Sequence, residues 1–314
     1  KAWFGFDDLQ SSARLSVVLL IFTLSAILIE KYLRRNKKEN YTSLGQYKGG
    51  NSLFNSKITF PIFFLFAIVF LSFVVPIFWL ITNVDLKSFS NVNTVIYAAF
   101  NSFKIAFIGA FVIISFATFI IFTKRVFKIN ILSFITNFSK IGYAAPGIVI
   151  AIGVISPLIF VDKQINQFFS YFGKDIGLIL SGSISILIFA YLVRFLSVAF
   201  NPIESGLEKV SEKIDYSALN LGANKQTLLF KIHLPMIISS CLIAFLLIFI
   251  DILKELPITL ILRPFNYNTL SVLTFEYASS EQLTQAALPA LLITIIGLFP
   301  LLFIYKILNY REGN

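Results

Sequence analysis

The chain alternates between long apolar stretches and shorter polar connections that are rich in lysine and arginine. A helix that spans a bilayer needs about 20 largely apolar residues, and the pattern predicts seven such helices. None of the stretches alternates between apolar and polar positions as a membrane β-strand does, so we expect an all-α, polytopic helical bundle. The predicted spans are residues 12–29, 58–82, 94–122, 141–161, 176–200, 235–262 and 288–309.

The composition also favours an integral membrane protein. Hydrophobic residues make up 57% of the chain and charged residues 13%, against about 45–50% and about 25% in soluble domains. These values exclude a soluble enzyme and a disordered chain. Cys241 is the only cysteine, which excludes a disulfide-linked scaffold. The chain also contains a single histidine. With one cysteine and one histidine, we expect neither a catalytic group nor a set of metal ligands.

The distribution of lysine and arginine predicts the orientation. One set of alternating connections carries 17 of these residues and the other carries 5. Basic connections stay in the cytoplasm, so we expect the richer set, which includes the C-terminus, to be cytoplasmic. The net charge of +10 is then a consequence of topology. A nucleic-acid partner is not expected, because no soluble basic segment with interleaved aromatic residues is present.

The first predicted span is set apart by a polar linker, residues 30–57, which contains a basic cluster and two adjacent glycines. A solvated connection explains this linker, and a sensor of anionic lipid is the alternative. Residues 7–35 also align with the last span at an offset of 274 residues. We therefore expect residues 1–57 to be the last helix of a preceding half plus a linker, and 58–314 to be a six-helix domain. A chain that opens at Lys1 without a methionine is expected to be a fragment or a processed product.

The predicted cytoplasmic loop, residues 201–234, is too polar to lie in lipid, yet parts of it have helical character. Asp215 is predicted to cap a short helix over 216–221, and Gly222 supplies the turn that ends it. An amphipathic stretch then leads to Pro235 at the start of the next span. A short helix held between two spans can transmit a push to both; an ordinary interfacial helix is the alternative.

The spacing of four residues at the end of this loop resembles a known signature. Gly222 is followed after nine residues by Ile232, and then by Leu234 and Pro235. ABC importer permeases carry a coupling-loop signature of Glu-Ala-Ala, three residues, Gly, nine residues and Ile-x-Leu-Pro. The resemblance implies that this loop receives the ATPase subunits.

The first half of that signature is altered. Tyr216, Ser217 and Ala218 occupy the positions of Glu-Ala-Ala, so only the last residue is retained. Asp215, one residue earlier, is the expected replacement for the acidic contact with the ATPase.

Residues 235–308 further resemble the C-terminal half of the fused ferric-iron ABC permeases. The resemblance is carried by DILKELPITLILRPFNYNTLSVLTFEYASSEQLTQAALPALL, residues 251–292, and by WFG near the start of the chain. It implies a type I-like permease fold with two homologous halves, an ATPase dimer on the cytoplasmic side and an external ferric-binding protein. It also implies no tightly bound cofactor. The chain lacks a G-x-x-x-x-G-K-[ST] loop, so ATP would be used by the partner subunit.

Three charged residues lie inside the sixth predicted span, where each isolated charge costs about 2.5–3.5 kcal/mol on insertion scales. Asp251 and Glu255 are predicted to share a helix face, and Lys254 to pair with Asp251. Both carboxylates, with Glu276 outside the membrane, are candidates for a translocation path, since their oxygens suit a hard cation. The alternative is a self-neutralising cluster that fixes helix packing. Pro257 is expected to bend or end this helix.

Other polar and small residues in the spans have simpler interpretations. We expect Arg194 to reach toward the cytoplasmic interface, as long cationic side chains do. His233 is expected to be an interface residue rather than a ligand. Close helix packing is the expected role of Gly142, Pro146, Gly147 and Gly153.

The resemblance implies a permease subunit of an ATP-driven importer that moves ferric iron across a bacterial inner membrane by alternating access. A permease for thiamine, a polyamine or a phosphonate is the alternative within the same class. An intramembrane enzyme and a non-transporting receptor subunit are alternatives from other classes. The enzyme is disfavoured because neither a G-x-S-x-G nor a H-E-x-x-H pattern is present.

Overall fold

The computed structural model describes residues 9–34, 56–84, 92–173, 177 and 179–312. Regular structure in these residues is helical throughout, which confirms the predicted all-α class. The π-helical stretches Phe70–Val74 and Leu228–His233 join α2 to α3 and α9 to α10. The α-helices are α1 (Leu9–Arg34), α2 (Ser56–Val69), α3 (Val75–Thr82), α4 (Val92–Phe127), α5 (Asn130–Ala144), α6 (Gly147–Ser170), α7 (Ile184–Glu208), α8 (Glu212–Asn220), α9 (Lys225–Thr227), α10 (Leu234–Leu253), α11 (Pro257–Leu262), α12 (Leu270–Ser279) and α13 (Leu283–Glu312).

Among the residues described, six helical segments are long and apolar enough to cross a membrane, and they correspond to six predicted spans. The first predicted span falls on α1, whose apolar stretch Val17–Ala26 is shorter than a bilayer requires. That span stays a prediction, as does the division at residue 57. The six segments are Phe60–Thr82, Val92–Phe127, Gly147–Ser170, Ile184–Glu208, Lys225–Leu253 and Leu283–Phe303.

The boundaries of two spans differ from the prediction because of prolines and glycines. The fourth predicted span began at residue 141, but Pro146 separates α5 from α6. Proline cannot donate the hydrogen bond that would continue α5, whereas its fixed φ suits a helix start. The fifth span begins at Ile184 instead of residue 176, and α7 continues through Pro202 to Glu208.

The sixth span begins and ends earlier in the chain than the predicted residues 235–262. The helical segment starts at Lys225, passes through the π-helical stretch and ends at Leu253. Pro257 opens the short helix α11, so the expected break lies just before this proline. The polypeptide is thus non-helical between α10 and α11, at a depth where the prediction placed membrane.

The core lies where α4, α7 and α10 pack together. Small residues at the contacts, such as Ala110 and Ala190, are fully buried and let the helix backbones approach closely. Larger side chains, including Tyr191 and Phe200, fill the remaining space. Many phenylalanines point outward, for example Phe63, which is what a lipid environment accommodates. This core holds the polar groups described below in fixed positions.

Candidate functional site

The short helix α8 lies between α7 and α10 in sequence, as the coupling-loop resemblance implied. It begins at Glu212, and the hydroxyl of its cap residue Ser211 accepts a hydrogen bond from the Lys213 amide at 3.3 Å. The prediction that Asp215 caps a helix over 216–221 is therefore wrong. Asp215 lies inside the first turn of α8, where a carboxylate is also favoured by the helix dipole.

Asp215 is buried, with 9% of its surface exposed, and both carboxylate oxygens have partners. Arg125 Nε donates to Oδ2 at 2.7 Å, and His233 Nε2 donates to Oδ1 at 2.7 Å. His233 is 1% exposed and its ring packs edge-on against Phe122. Both oxygens of the Asp215 carboxylate are bonded inside the protein. In this conformation, Asp215 therefore cannot make the expected contact with an ATPase. His233 is buried and links the start of the sixth span to α8, so it is not the interface residue that we expected.

Arg125 extends this link to a third helix. Its Nη1 and Nη2 donate to the carbonyl oxygens of Leu207 and Val210 at 2.5 and 2.7 Å. These carbonyls lie at the C-terminal end of α7 and just beyond it, where a cation is also favoured by the helix dipole. The Arg125, Asp215 and His233 side chains, hereafter the coupling triad, thus connect α4, α7, α8 and the start of the sixth span.

A charged cavity of about 500 Å³ opens next to the triad. Lys124 pairs with Glu204 at 3.0 Å, and Lys128 pairs with Glu212 at 3.2 Å across the cavity walls. The hydrogen bond from Lys128 to Glu212 raises the pKa of the Lys128 ammonium. The exposed Lys128–Glu212 pair adds little stability in water, so its main effect is to orient α8 against the end of α4. The partly buried Lys124–Glu204 pair joins α4 to α7.

The C-terminal end of α8 has the turn that the sequence predicted. Gly222 has φ +87, the left-handed conformation that glycine adopts without strain. Its amide donates to the Leu219 carbonyl at 3.0 Å, and the Ala223 amide donates to Ala218 at 3.0 Å. This pair of hydrogen bonds closes a Schellman motif. Asn224 then caps the following helix by accepting from the Thr227 amide at 2.7 Å.

The other residues of the predicted signature have different exposures. Tyr216 and Ser217 are exposed on α8, and Ala218 is half-buried. Ile232 lies half-buried in the π-helical stretch, and Leu234 and Pro235 form the first turn of α10. The exposed side of α8 and its C-terminal turn is partly apolar, through Tyr216, Leu219 and Leu221.

The charged residues of the sixth span separate into two ion pairs. Lys254 Nζ lies 2.9 Å from Asp251 Oδ1, as predicted. Glu255 is buried and its Oε2 lies 3.5 Å from Arg194 Nε on α7. Because α10 ends between the two carboxylates, they do not share a helix face, and each is paired with its own cation. Arg194 is held beside Glu255 instead of reaching the cytoplasmic interface, so that prediction is also wrong.

Hydroxyl groups stabilise the break in the helix after α10. The Glu255 carbonyl accepts hydrogen bonds from Thr259 at 2.7 Å and from Ser271 at 3.0 Å. Tyr191 on α7 shares a hydrogen bond of 2.5 Å with the Thr259 hydroxyl. Non-helical backbone at membrane depth needs such partners.

Two of the glycines in this region have the predicted role of close packing. A Cβ on Gly142 would overlap the Val193 carbonyl oxygen. A Cβ on Gly147 would overlap Arg194 Nη1 and lie 2.8 Å from Glu255 Oε1. A Cβ on Gly153 would have no atom within 4 Å, so the prediction of close packing is wrong for Gly153.

Glu276, which the sequence analysis placed outside the membrane, accepts a hydrogen bond from Arg263 Nη2 at 2.6 Å. Arg263 also donates to the Asn268 side chain. Tyr267, whose pKa burial raises, donates through its hydroxyl to the Asn101 carbonyl at 3.2 Å. Glu276 is thus part of a local network, separate from the ion pairs of Asp251 and Glu255.

A comparison with protein families decides the class of the molecule. Residues 131–312 match the family described as the binding-protein-dependent transport system inner membrane component. The chain belongs to this family. The matched region contains α8, the Gly222 turn and the helix break at Glu255.

One curated relative of the permease is the Fe(3+)-transport system permease protein FbpB 2 of Haemophilus influenzae. The two are 25% identical over 303 residues, which is 95% of this chain and 57% of the relative. The chain therefore spans little more than half the length of that protein.

Among solved structures, the permease resembles a chain in the crystal structure of a bacterial alginate ABC transporter in complex with an alginate pentasaccharide-bound periplasmic protein. The TM-score is 0.58 at 16% identity, over 79% of this chain and 92% of that chain. This likeness concerns the fold alone, and it confirms the ABC permease architecture.

Sequence reasoning missed two important residues of the permease. Arg125 was counted only as one basic residue of a connection, although it organises the coupling triad. Asp162 is buried near the end of α6 and accepts hydrogen bonds from the Leu180 amide at 2.9 Å and the Ser181 amide at 2.8 Å. An aspartate within an apolar span was the available signal for Asp162.

Within the part of the chain that the structure describes, no group of three or more His, Cys, Asp or Glu residues is arranged to hold a metal ion.

Proposed function

We propose that this chain is a permease subunit of an ATP-driven importer and that its cargo is ferric iron. The observation that carries the proposal is the coupling triad, which joins a short cytoplasmic helix to the ends of three membrane-spanning segments. The match to the transport family and the ferric-iron relative support the same class and cargo.

The ATPase dimer docks on α8 in this proposal. Tyr216, Leu219 and Leu221 present an exposed apolar surface beside a charged cavity, which suits a protein partner. ATP is used by that partner, and the permease itself holds no tightly bound cofactor. The excess of lysine and arginine in one set of connections supports a cytoplasmic location for α8 and the C-terminus.

Transport proceeds by alternating access. Closure of the ATPase dimer pushes α8, and the ion pair of Asp215 with Arg125 transmits the movement to α4 and to the end of α7. The hydrogen bond to His233 transmits it to the sixth span. Because the links are buried and charged, they resist separation, so the helices move together. The bundle then opens to an external ferric-binding protein and resets after hydrolysis.

Iron is favoured as cargo by the oxygen-rich polar groups of the membrane region. Fe³⁺ is a hard cation that prefers carboxylate, hydroxyl and carbonyl oxygens. Asp251, Glu255 and Glu276 supply carboxylates, of which Asp251 lines a cavity in the membrane region. Thiamine, a polyamine and a phosphonate are the competing cargoes within the same class of permease.

The test is ATP-dependent uptake of radioactive ferric iron into vesicles that contain the full-length protein, its ATPase and its binding protein. We expect uptake in the wild type and its loss in Gly222→Val, whose β-branched side chain strains the turn after α8. Movement of thiamine, a polyamine or a phosphonate instead of iron overturns the cargo assignment only. An activity that survives removal of the ATPase overturns the transport function and favours an intramembrane enzyme. Normal ATPase binding with no uptake of any cargo favours a receptor subunit.

A further inference from the structure

A cavity of about 510 Å³ lies between α5, α7 and α10 and has an unusual lining for a membrane region. Four of its residues carry oxygen atoms that can ligate a cation, and the other three are apolar. The oxygen-bearing residues are Tyr143, Ser197, Asn201 and Asp251. They supply two hydroxyls, an amide carbonyl and a carboxylate, all of which are ligands for hard cations.

Ser197 gives independent evidence that the cavity receives a ligand. The residue is 6% exposed, and its Oγ has no hydrogen-bond partner among the described residues. Serines elsewhere in the spans bond to the carbonyl four residues earlier, as Ser115 and Ser156 do at 2.8 Å. A buried hydroxyl without a partner is costly. Rotation of the Ser197 side chain toward the cavity would let a passing ligand satisfy it.

Lys254 provides a counter-charge for Asp251. Its ammonium lies 2.9 Å from Asp251 Oδ1, and its side chain is 61% exposed while that of Asp251 is 14% exposed. An exposed ammonium on a flexible stem can leave without burying a new charge. A cation that enters the cavity can therefore replace it at the carboxylate.

The cavity lies on a polar line along α7. Arg194, Ser197, Asn201, Ser205 and Glu208 recur at intervals of three and four residues, so they share one face of the helix. The line runs from the Arg194–Glu255 ion pair to the charged cavity beside the coupling triad. Polar residues in a span face the bundle interior or a water-filled path.

We propose that this cavity is a transit site for the cargo as a hard, oxygen-coordinated cation, with Lys254 as the displaceable counter-charge of Asp251. The inference rests on the proposed function of the chain as a ferric-iron permease. One carboxylate with three neutral oxygens holds a trivalent cation more loosely than a set of three carboxylates. Loose binding suits a path, because a transported ion has to leave again.

The first test measures ions imported per ATP hydrolysed, with the full-length permease, its ATPase and its binding protein in proteoliposomes. Asp251→Asn is expected to lower this ratio by at least about tenfold, and Ser197→Ala by about threefold, as for loss of ligands from a metal site. Ser156→Ala is the matched control, since that hydroxyl is satisfied by its own helix. A merely structural defect lowers uptake and coupled hydrolysis together and leaves the ratio unchanged, which would contradict the proposal.

The second test needs no transport. Terbium(III), a hard trivalent cation, luminesces when a nearby tyrosine transfers excitation to it, and the purified full-length permease in detergent is titrated with it. Tyr143→Phe is expected to remove the signal, whereas Tyr171→Phe, at an exposed tyrosine outside the cavity, keeps it. Asp251→Asn is expected to weaken binding at least about tenfold, and Lys254→Met to strengthen it.

The outcomes separate the two proposals. If the wild type imports iron and the cavity variants match Ser156→Ala, the transit site is wrong and the proposed function stands. If the wild type imports no iron, the proposed function is wrong, and the terbium titration alone decides the site. A terbium signal that is unchanged in both Tyr143→Phe and Asp251→Asn also overturns the site.

Discussion

His233 Nε2 lies 2.7 Å from Oδ1 of Asp215, 18 residues earlier in the chain. This hydrogen bond joins the start of the sixth span to the short helix α8. The second oxygen of Asp215 accepts from Arg125 at the end of α4. One buried carboxylate therefore links α4, α8 and the start of the sixth span, the parts that move together in the proposed mechanism.

Replacement of the central carboxylate should uncouple the transporter. Asp215→Asn keeps the shape of the side chain but leaves the largely buried Arg125 without a counter-charge, which costs about 3 kcal/mol of unfolding free energy. We expect a lower Tm in detergent and a loss of uptake per ATP hydrolysed in proteoliposomes. Glu212→Gln, in the exposed pair with Lys128, is the control and should change both only slightly. Equal behaviour of the two variants would show that the triad does not transmit movement.

The turn after α8 should depend on backbone conformation and not on space. The backbone of Gly222 has φ +87, and a Cβ at this position would have no atom within 4 Å. Asparagine tolerates this conformation, whereas a β-branched residue is strained by about 1–3 kcal/mol. We expect Gly222→Asn to retain most of the uptake and Gly222→Val to lose it, as measured in vesicles with matched amounts of protein. Equal losses would mean that the side chain, not the turn, meets the partner.

The contact of Gly147 with the Arg194–Glu255 ion pair should make it intolerant of a methyl group. Gly147→Ala places Cβ 2.8 Å from Glu255 Oε1, so the ion pair has to shift, at a cost of about 1–3 kcal/mol. Gly153→Ala on the same helix is the matched control, because its Cβ meets nothing within 4 Å and alanine favours a helix. Thermal unfolding in detergent measures both. A Tm that falls equally in both variants would exclude the contact as the cause.

Asp162 is expected to be structural. Its carboxylate accepts from the Leu180 and Ser181 amides and from the Ser181 hydroxyl at 2.6 Å. Loss of these charge-assisted hydrogen bonds in Asp162→Ala should cost about 3 kcal/mol, and Asp162→Asn should cost less because one acceptor remains. Uptake per folded molecule should stay near that of the wild type. A selective loss of uptake with a normal Tm would instead place Asp162 on the transport path.

Several elements of the molecule follow from local sequence. Six spans are predictable because an apolar stretch of sufficient length has few alternatives to a membrane helix. The turn at Gly222 is predictable because a positive φ favours glycine, and its spacing to Ile232 matches a known signature. The Asp251–Lys254 pair is predictable because residues three apart on a helix are neighbours.

The polar contacts that define the candidate site join residues on different helices, so no local sequence pattern predicts them. Arg125 and Asp215 are 90 residues apart, and the sequence gives no reason to pair them rather than to expose both. Glu255 was placed on the face of Asp251, but α10 ends between them, and the Thr259 and Ser271 hydroxyls bind the Glu255 carbonyl beyond the break. Arg194 then pairs with Glu255 and does not reach the cytoplasmic interface.

The sequence by itself determined the membrane class, the order of the spans, the charge asymmetry of the connections and the approximate position of the short helix α8. These depend on the hydrophobicity and spacing of nearby residues, which act within one helix or one turn. Only the tertiary structure decided which charges far apart in sequence are paired and which oxygens line the cavity at Asp251. Those features depend on helices that meet far apart in sequence, and the packing of small residues at their contacts sets which side chains come within reach.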